Sequence, residues 1–161
     1  MINHTAKESL NLNILNRNKN NFILDKYLNF KHEVLIIIMK FNAFCELLYL
    51  FFFKNLNFRD FKKLVYSLFE HSTTFTIRMY LQIKVCLKKV KPNYFLLTYE
   101  GYPWERLCIK AVKEFNPNIK CVGYQHTPVT TNHKAIFNIL NNDFNPDQIW
   151  CSHIPSYKLL K

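Results

Sequence analysis

Beyond Pro92 the apolar residues fall into three short runs, and this spacing constrains the fold more than any other feature of the chain. The runs cover residues 94–99, 119–124 and 148–152, and a segment with helical periodicity lies between the first two. Short apolar runs alternating with helices are the pattern of parallel strands joined by crossovers, so an α/β sheet with helices on its faces is expected. The helix should begin at Pro103, because proline suits the first helical position, and stop at Asn116-Pro117. Its expected apolar stripe is Trp104, Leu107, Cys108, Ala111, Val112 and Phe115.

The 161 residues include two glycines, Gly101 and Gly123, each marking the end of one of the first two runs. Glycine serves where backbone turns sharply or something must come close, and in an open parallel sheet such turns border the ligand crevice. Glu100 stands directly before Gly101. A carboxylate there either accepts a proton from a substrate hydroxyl as general base or caps the Pro103 helix. The residue types leave both roles open.

His126 follows Gly123 by three residues, and it either donates to phosphate oxygens and moves a proton or simply bonds a loop carbonyl. Adjacent strands would bring Glu100 and His126 to one rim, which favours the functional reading for the pair. Gln125 and Thr127 add uncharged hydrogen-bonding groups beside His126, and Tyr102 is placed to line the mouth. Glu105, in the first turn of the helix, and Asp147, in the turn Asn145-Pro-Asp147, read as structural.

The rest of the chain divides into a polar lead-in over 1–32, rich in Asn and Lys, and a mainly helical region over 33–91. Helical spacing links Phe61, Leu64, Val65, Leu68 and Phe69, then Tyr80, Ile83, Leu87 and Val90, with a break at His71–Thr74 where Ser72 or Thr73 would serve as N-cap. Val34–Phe53 is the one membrane candidate, but Lys40, Asn42 and Glu46 near its centre bring the insertion balance close to zero. A buried helix is expected there, with a short strand over 34–39 as an option and a helix resting on a membrane face as the alternative. Pro155–Lys161 reads as the opening of another helix, so the chain is expected to be part of a longer, truncated sequence.

A formal charge of +11 requires partners that tolerate it: anionic lipid, phosphorylated substrates or nucleic acid. The basic residues are dispersed, and no helix-turn-helix or aromatic-basic RNA motif accompanies them, which argues against nucleic acid. Cys45, Cys86, Cys108, Cys121 and Cys151 form no close pair, so a reducing cytoplasm is expected, with Cys86, Cys108 and Cys121 buried and unpaired. No His/Cys spacing predicts a metal, and the nearest case, Cys151 with His153, is equally explained by a strand end.

Three segments taken in order carry a resemblance: Tyr99-Glu-Gly-Tyr-Pro-Trp-Glu-Arg106, Asn116-Pro-Asn-Ile-Lys-Cys-Val-Gly-Tyr-Gln-His126 and Asn145-Pro-Asp-Gln-Ile-Trp-Cys-Ser152. Together they resemble bacterial surface-carbohydrate biosynthesis proteins of the GT-B glycosyltransferase type, over roughly the second half of the chain. A looser similarity exists to bacterial Kdo transferases and polyol-phosphate transferases. The resemblance implies the Rossmann-like N-terminal half of a two-domain enzyme making lipopolysaccharide or capsule, peripheral on the inner face of the cytoplasmic membrane. The nucleotide sugar would bind a C-terminal domain absent here, no cofactor would be needed, and a sugar or lipid-linked glycan would be the acceptor. Glu100 and His126 then fall at the catalytic cleft, and Gly101, Tyr102, Gly123, Gln125 and Thr127 at the acceptor. The family carries glycine after the third strand where this chain has His153. The competing class is a noncatalytic basic module binding nucleic acid or anionic membrane.

Overall fold

The computed structural model describes residues 2–3, 22–23, 28–130 and 133–160. Most of the expected lead-in therefore lies outside the described residues, apart from two-residue strands β1 (Ile2–Asn3) and β2 (Phe22–Ile23), which pair in parallel. The chain divides into two compact units, Met1–Arg78 and Met79–Lys161.

In the first unit α1 (Phe30–Phe53) runs without interruption for 24 residues, so no strand forms over 34–39. Lys54 ends it, and Asn55 takes a left-handed conformation (φ 53°) in the turn to α2 (Phe58–Phe69). Asn57 caps α2, its side-chain oxygen accepting from the Asp60 N–H at 2.8 Å. The Phe51 and Phe61 rings meet at 4.6 Å between the two helices. Ile36 is the one buried residue of α1, which corrects the expectation of a buried helix. Its apolar residues extend around the whole circumference, while α2 and the start of α3 (His71–Val90) cover one side only.

Ser72 and Thr73 lie inside the first turn of α3 and do not cap it. They secure the α2–α3 corner instead: the Ser72 hydroxyl donates to the Glu70 carboxylate and the Thr73 hydroxyl to the Ser67 carbonyl, at 2.6 Å. Thr hydroxyls bond readily to preceding carbonyls, a competing role that spacing alone does not separate from capping.

The second unit is α/β. Residues 79–90 of α3 lead to β3 (Tyr94–Thr98), α4 (Pro103–Phe115), β4 (Lys120–Gln125), α5 (Lys134–Phe137), a 3₁₀ turn (Asn142–Phe144), β5 (Gln148–Cys151) and α6 (Ile154–Leu160). The three strands form an open parallel sheet in the order β3-β4-β5, with Leu97, Gly123 and Ile149 level across it. Each strand follows its predicted run within a residue at either end, and α4 has its predicted bounds.

The stripe of α4 differs from expectation. Cys108, Ile109, Ala111 and Val112 are buried together with Glu105 and Arg106, whereas Trp104 and Leu107 are half-buried and Phe115 is exposed. Counting only apolar residues displaced the stripe, because two charged side chains occupy the buried face. Helix α4 packs against β3, with the Arg106 guanidinium 5.7 Å from the centre of the Tyr99 ring. The opposite sheet face is exposed: Tyr94 is 72% accessible and Trp150 55%, with Leu96 and Tyr124 between them.

Candidate functional site at the carboxyl edge of the sheet

Glu105 decides what Glu100 does. It occupies the third position of α4 and is 1% exposed, and its carboxylate turns back to accept the backbone N–H groups of Glu100 at 2.8 Å and Tyr102 at 2.9 Å. The Tyr102 N–H is the N-cap donor and the Glu100 N–H belongs to the turn before the helix, so the acid that serves this helix start is Glu105 and not Glu100. Burial pushes the Glu105 carboxyl above its ordinary value, against the pull of the backbone N–H groups of Glu100, Tyr102 and Gly101.

The Glu100 side chain is free for another role and points to the end of the neighbouring strand. Its Oε1 accepts from the Thr127 hydroxyl at 2.9 Å, and that hydroxyl accepts from Gln125 Nε2 at 3.0 Å. Gln125 is 2% exposed, and its Nε2 also donates to the Thr127 carbonyl at 3.1 Å. The chain Gln125–Thr127–Glu100 thus crosses from β4 to β3 at their carboxyl ends and fixes one carboxylate oxygen. Gln125 Oε1 is buried without a hydrogen-bond partner among the described residues, an acceptor of the kind that proteins rarely leave unmatched.

His126 is not part of this chain. Its side chain is exposed and makes no hydrogen bond among the described residues; only its carbonyl is engaged, accepting from the Ser152 hydroxyl at 3.1 Å. Strand alternation explains the separation, since Gln125 points into the unit and the next residue points out. The Ser152 hydroxyl also reaches the Gln125 carbonyl, tying the ends of β4 and β5 together. His153 is exposed, its Nδ1 2.7 Å from the Ser152 hydroxyl. Among the described residues no group of three His, Cys, Asp or Glu side chains is placed to hold a metal ion.

Both glycines make room for the chain itself. Gly101 has φ 83°, and a Cβ there would stand 2.4 Å from the Ala135 carbonyl oxygen. Gly123 lies within β4, where a Cβ would meet the Tyr99 side chain at 2.7 Å. Tyr102 is the N-cap residue of α4 and its ring is half exposed beside the Glu100 turn.

The residue that sequence reasoning missed is Arg106. Its guanidinium, nearly buried, donates to the carbonyls of Gly101 (3.0 Å), Ala135 (2.8 Å) and Asn138 (2.6 Å) and to Asn145 Oδ1 (2.5 Å). Four acceptors from three segments satisfy most of its fixed donor fork, holding the β4–β5 connection against the Gly101 turn. Its partners outside the turn lie 29 to 39 residues away, so no local pattern announces them. Asp147 is structural as expected, accepting the Cys121 N–H at 2.7 Å and pairing with Lys113 at 3.1 Å.

A cavity of about 570 Å³ opens at the other edge of the sheet, lined by Tyr94, Lys120, Val122, Gln148 and Trp150 among others. It lies at the amino ends of the strands and contains none of the sequence-predicted site residues. Comparison with protein-family models, curated proteins and solved structures finds no match to this chain.

Proposed function

We propose that the α/β unit is the acceptor side of a GT-B-type glycosyltransferase, moving a sugar from a nucleotide sugar to a surface-glycan acceptor, with Glu100 as the general base. One observation carries this reading: Glu105 caps α4, which leaves Glu100 as a half-buried carboxylate at the carboxyl edge of a parallel sheet with only one oxygen engaged among the described residues. Parallel α/β sheets bind ligands at that edge.

In the proposed reaction an acceptor hydroxyl donates to the second oxygen of Glu100 and loses its proton there as its oxygen bonds the anomeric carbon, the sugar–phosphate bond breaking and the nucleotide leaving with that electron pair. The Thr127 hydroxyl holds the carboxylate in one orientation, so little reorganisation is needed when the proton arrives. His126 is assigned to the rim, where an exposed imidazole meets anionic groups of the acceptor and not the reacting atoms. No cofactor enters the scheme, and donor binding belongs to a second domain. The test is transfer of labelled sugar to lipid-linked glycans by the protein as it occurs in its cell, compared with its Glu100→Gln variant.

A second reading is favoured by the exposed sheet face, where Tyr94, Tyr124 and Trp150 accompany Lys120. Aromatic platforms with positive charge suit single-stranded nucleic acid. That reading requires oligonucleotide binding that falls steeply with salt and is indifferent to Glu100→Gln.

A further inference from the structure

Helix α1 carries an apolar stripe that nothing among the described residues covers. Phe30, Val34, Ile37, Ile38, Phe41, Cys45, Tyr49 and Phe52 recur at helical spacing on its outward side, with Phe41 63% and Phe52 68% accessible. At 1.5 Å per residue the stripe is about 33 Å long. We propose that α1 lies along the surface of an anionic bilayer with this stripe immersed among the lipid chains. The inference concerns the first unit and is independent of the chemistry assigned to the sheet.

Three observations choose this occupant and this orientation. The first is the distribution of polar side chains on α1. Its 18-residue apolar window reaches a mean hydropathy of 2.0, enough by composition to cross a membrane, yet Asn42 and Glu46 are exposed in mid-helix. In a spanning helix both would sit in hydrocarbon, where an acidic group is expensive. At 100° per residue, by contrast, Glu46 stands about 120° from the centre of the stripe, at its flank beside the exposed Leu50 and Phe53, so a flat helix keeps it at headgroup level.

The second observation concerns Lys40, which is turned away from the stripe. Its ammonium donates to the Thr74 hydroxyl at 2.6 Å and lies 5.9 Å from the centre of the Phe69 ring. Glu33 is likewise held on the inner side by Arg78 at 2.6 Å. The stripe itself is therefore free of charge.

The third observation is the sign of the surrounding charge. Lys31 and Lys54 stand exposed at the two ends of α1, and Arg59, Lys62 and Lys63 follow on α2 beside the exposed Phe58, Tyr66 and Phe69. Basic residues framing an apolar stripe attract anionic headgroups, each contributing about 1 kcal/mol near the surface. The same frame disfavours a second copy of the chain. Packing this face of two copies together would bring like charge toward like charge.

The experiment uses the purified chain and two kinds of vesicle, phosphatidylcholine alone and phosphatidylcholine mixed with phosphatidylglycerol. We expect sedimentation with the mixed vesicles, release by alkaline carbonate, and loss of binding in Phe41→Asp with the helix content by circular dichroism unchanged. The combined variant Arg59→Glu, Lys62→Glu, Lys63→Glu should lower partitioning by more than about tenfold. Depth is read from an environment-sensitive dye on Cys45, with Cys151 replaced by serine. Quenching should be stronger by a spin label at the headgroup than by one at the chain ends. Deeper quenching with resistance to carbonate would overturn the inference in favour of a span. Equal partitioning to both vesicle types would overturn it too, as would a stripe-dependent dimer that ignores vesicles.

Discussion

At the scale of single residues, the chemistry of this chain is set by which side chains are taken out of water. Burial pushes the Cys108 thiol up to about 12 and, with Asp147 beside it, the Cys121 thiol to about 11, so neither forms the reactive thiolate near neutral pH. Cys86 is buried as well, while Cys45 is exposed and Cys151 half-buried. A maleimide should therefore label Cys45 fast, Cys151 more slowly and the other three only on unfolding, as mass spectrometry of the native protein would reveal. Rapid labelling of all five would contradict the packing described.

Two carboxylates set the acid response. Burial alone would raise Asp147, but the Cys121 N–H and Lys113 bring it below its ordinary value. Burial likewise opposes ionisation of Glu114, and the Tyr80 hydroxyl and Lys84 outweigh it. A lowered folded value means stability that is complete above the unfolded value, about pH 4, and is lost as pH falls through the folded value. Glu105 runs the other way: its raised value gives a contribution largest at low pH that shrinks as pH rises through that value. Denaturant melts between neutral and acid pH should therefore show an acid limb that Asp147→Asn flattens. An unchanged limb in that variant would exclude the pairing as its source.

At the scale of elements, the strands and α4 were legible because their signals are local: short apolar runs, a proline at the helix start, an Asn-Pro stop. Glu105 was legible as a first-turn acid, although its reach back to the Glu100 N–H depends on how the Gly101 turn folds. Arg106 was not legible, because its meaning lies in carbonyls of the β4–β5 connection. The helix α1 was misread for a related reason. Its apolar composition is evident, but which of its sides finds a partner is a tertiary fact.

The clamp at Gly101 makes a quantitative expectation. Arg106→Met keeps the volume and strands four acceptors, and should lower stability by about 3 kcal/mol. Gly101→Ala adds a methyl against the Ala135 carbonyl in a left-handed backbone, at a cost of at least about 2 kcal/mol. Urea titrations of both variants check this; wild-type midpoints would remove the clamp from the account.

At the scale of the whole chain, a three-stranded parallel sheet with an exposed aromatic face is unusual, since such sheets are ordinarily covered on both faces. The α/β class and the parallel order followed from the alternation of runs and helix. The number of strands followed as well, since the sequence marks three runs there and three strands form the sheet among the described residues.

Under the proposed function two neighbouring carboxylates divide the work, Glu105 for structure and Glu100 for the proton. Sugar-transfer rate and melting temperature, measured side by side for Glu100→Gln and Glu105→Gln, test it directly. Glu100→Gln should lose about 10²- to 10⁴-fold in rate with its melting temperature unchanged. Glu105→Gln should instead lose about 1 kcal/mol of stability while keeping the greater part of its rate. A Glu100→Gln protein that transfers sugar at the wild-type rate, or that melts early as a broken cap would, contradicts the assignment.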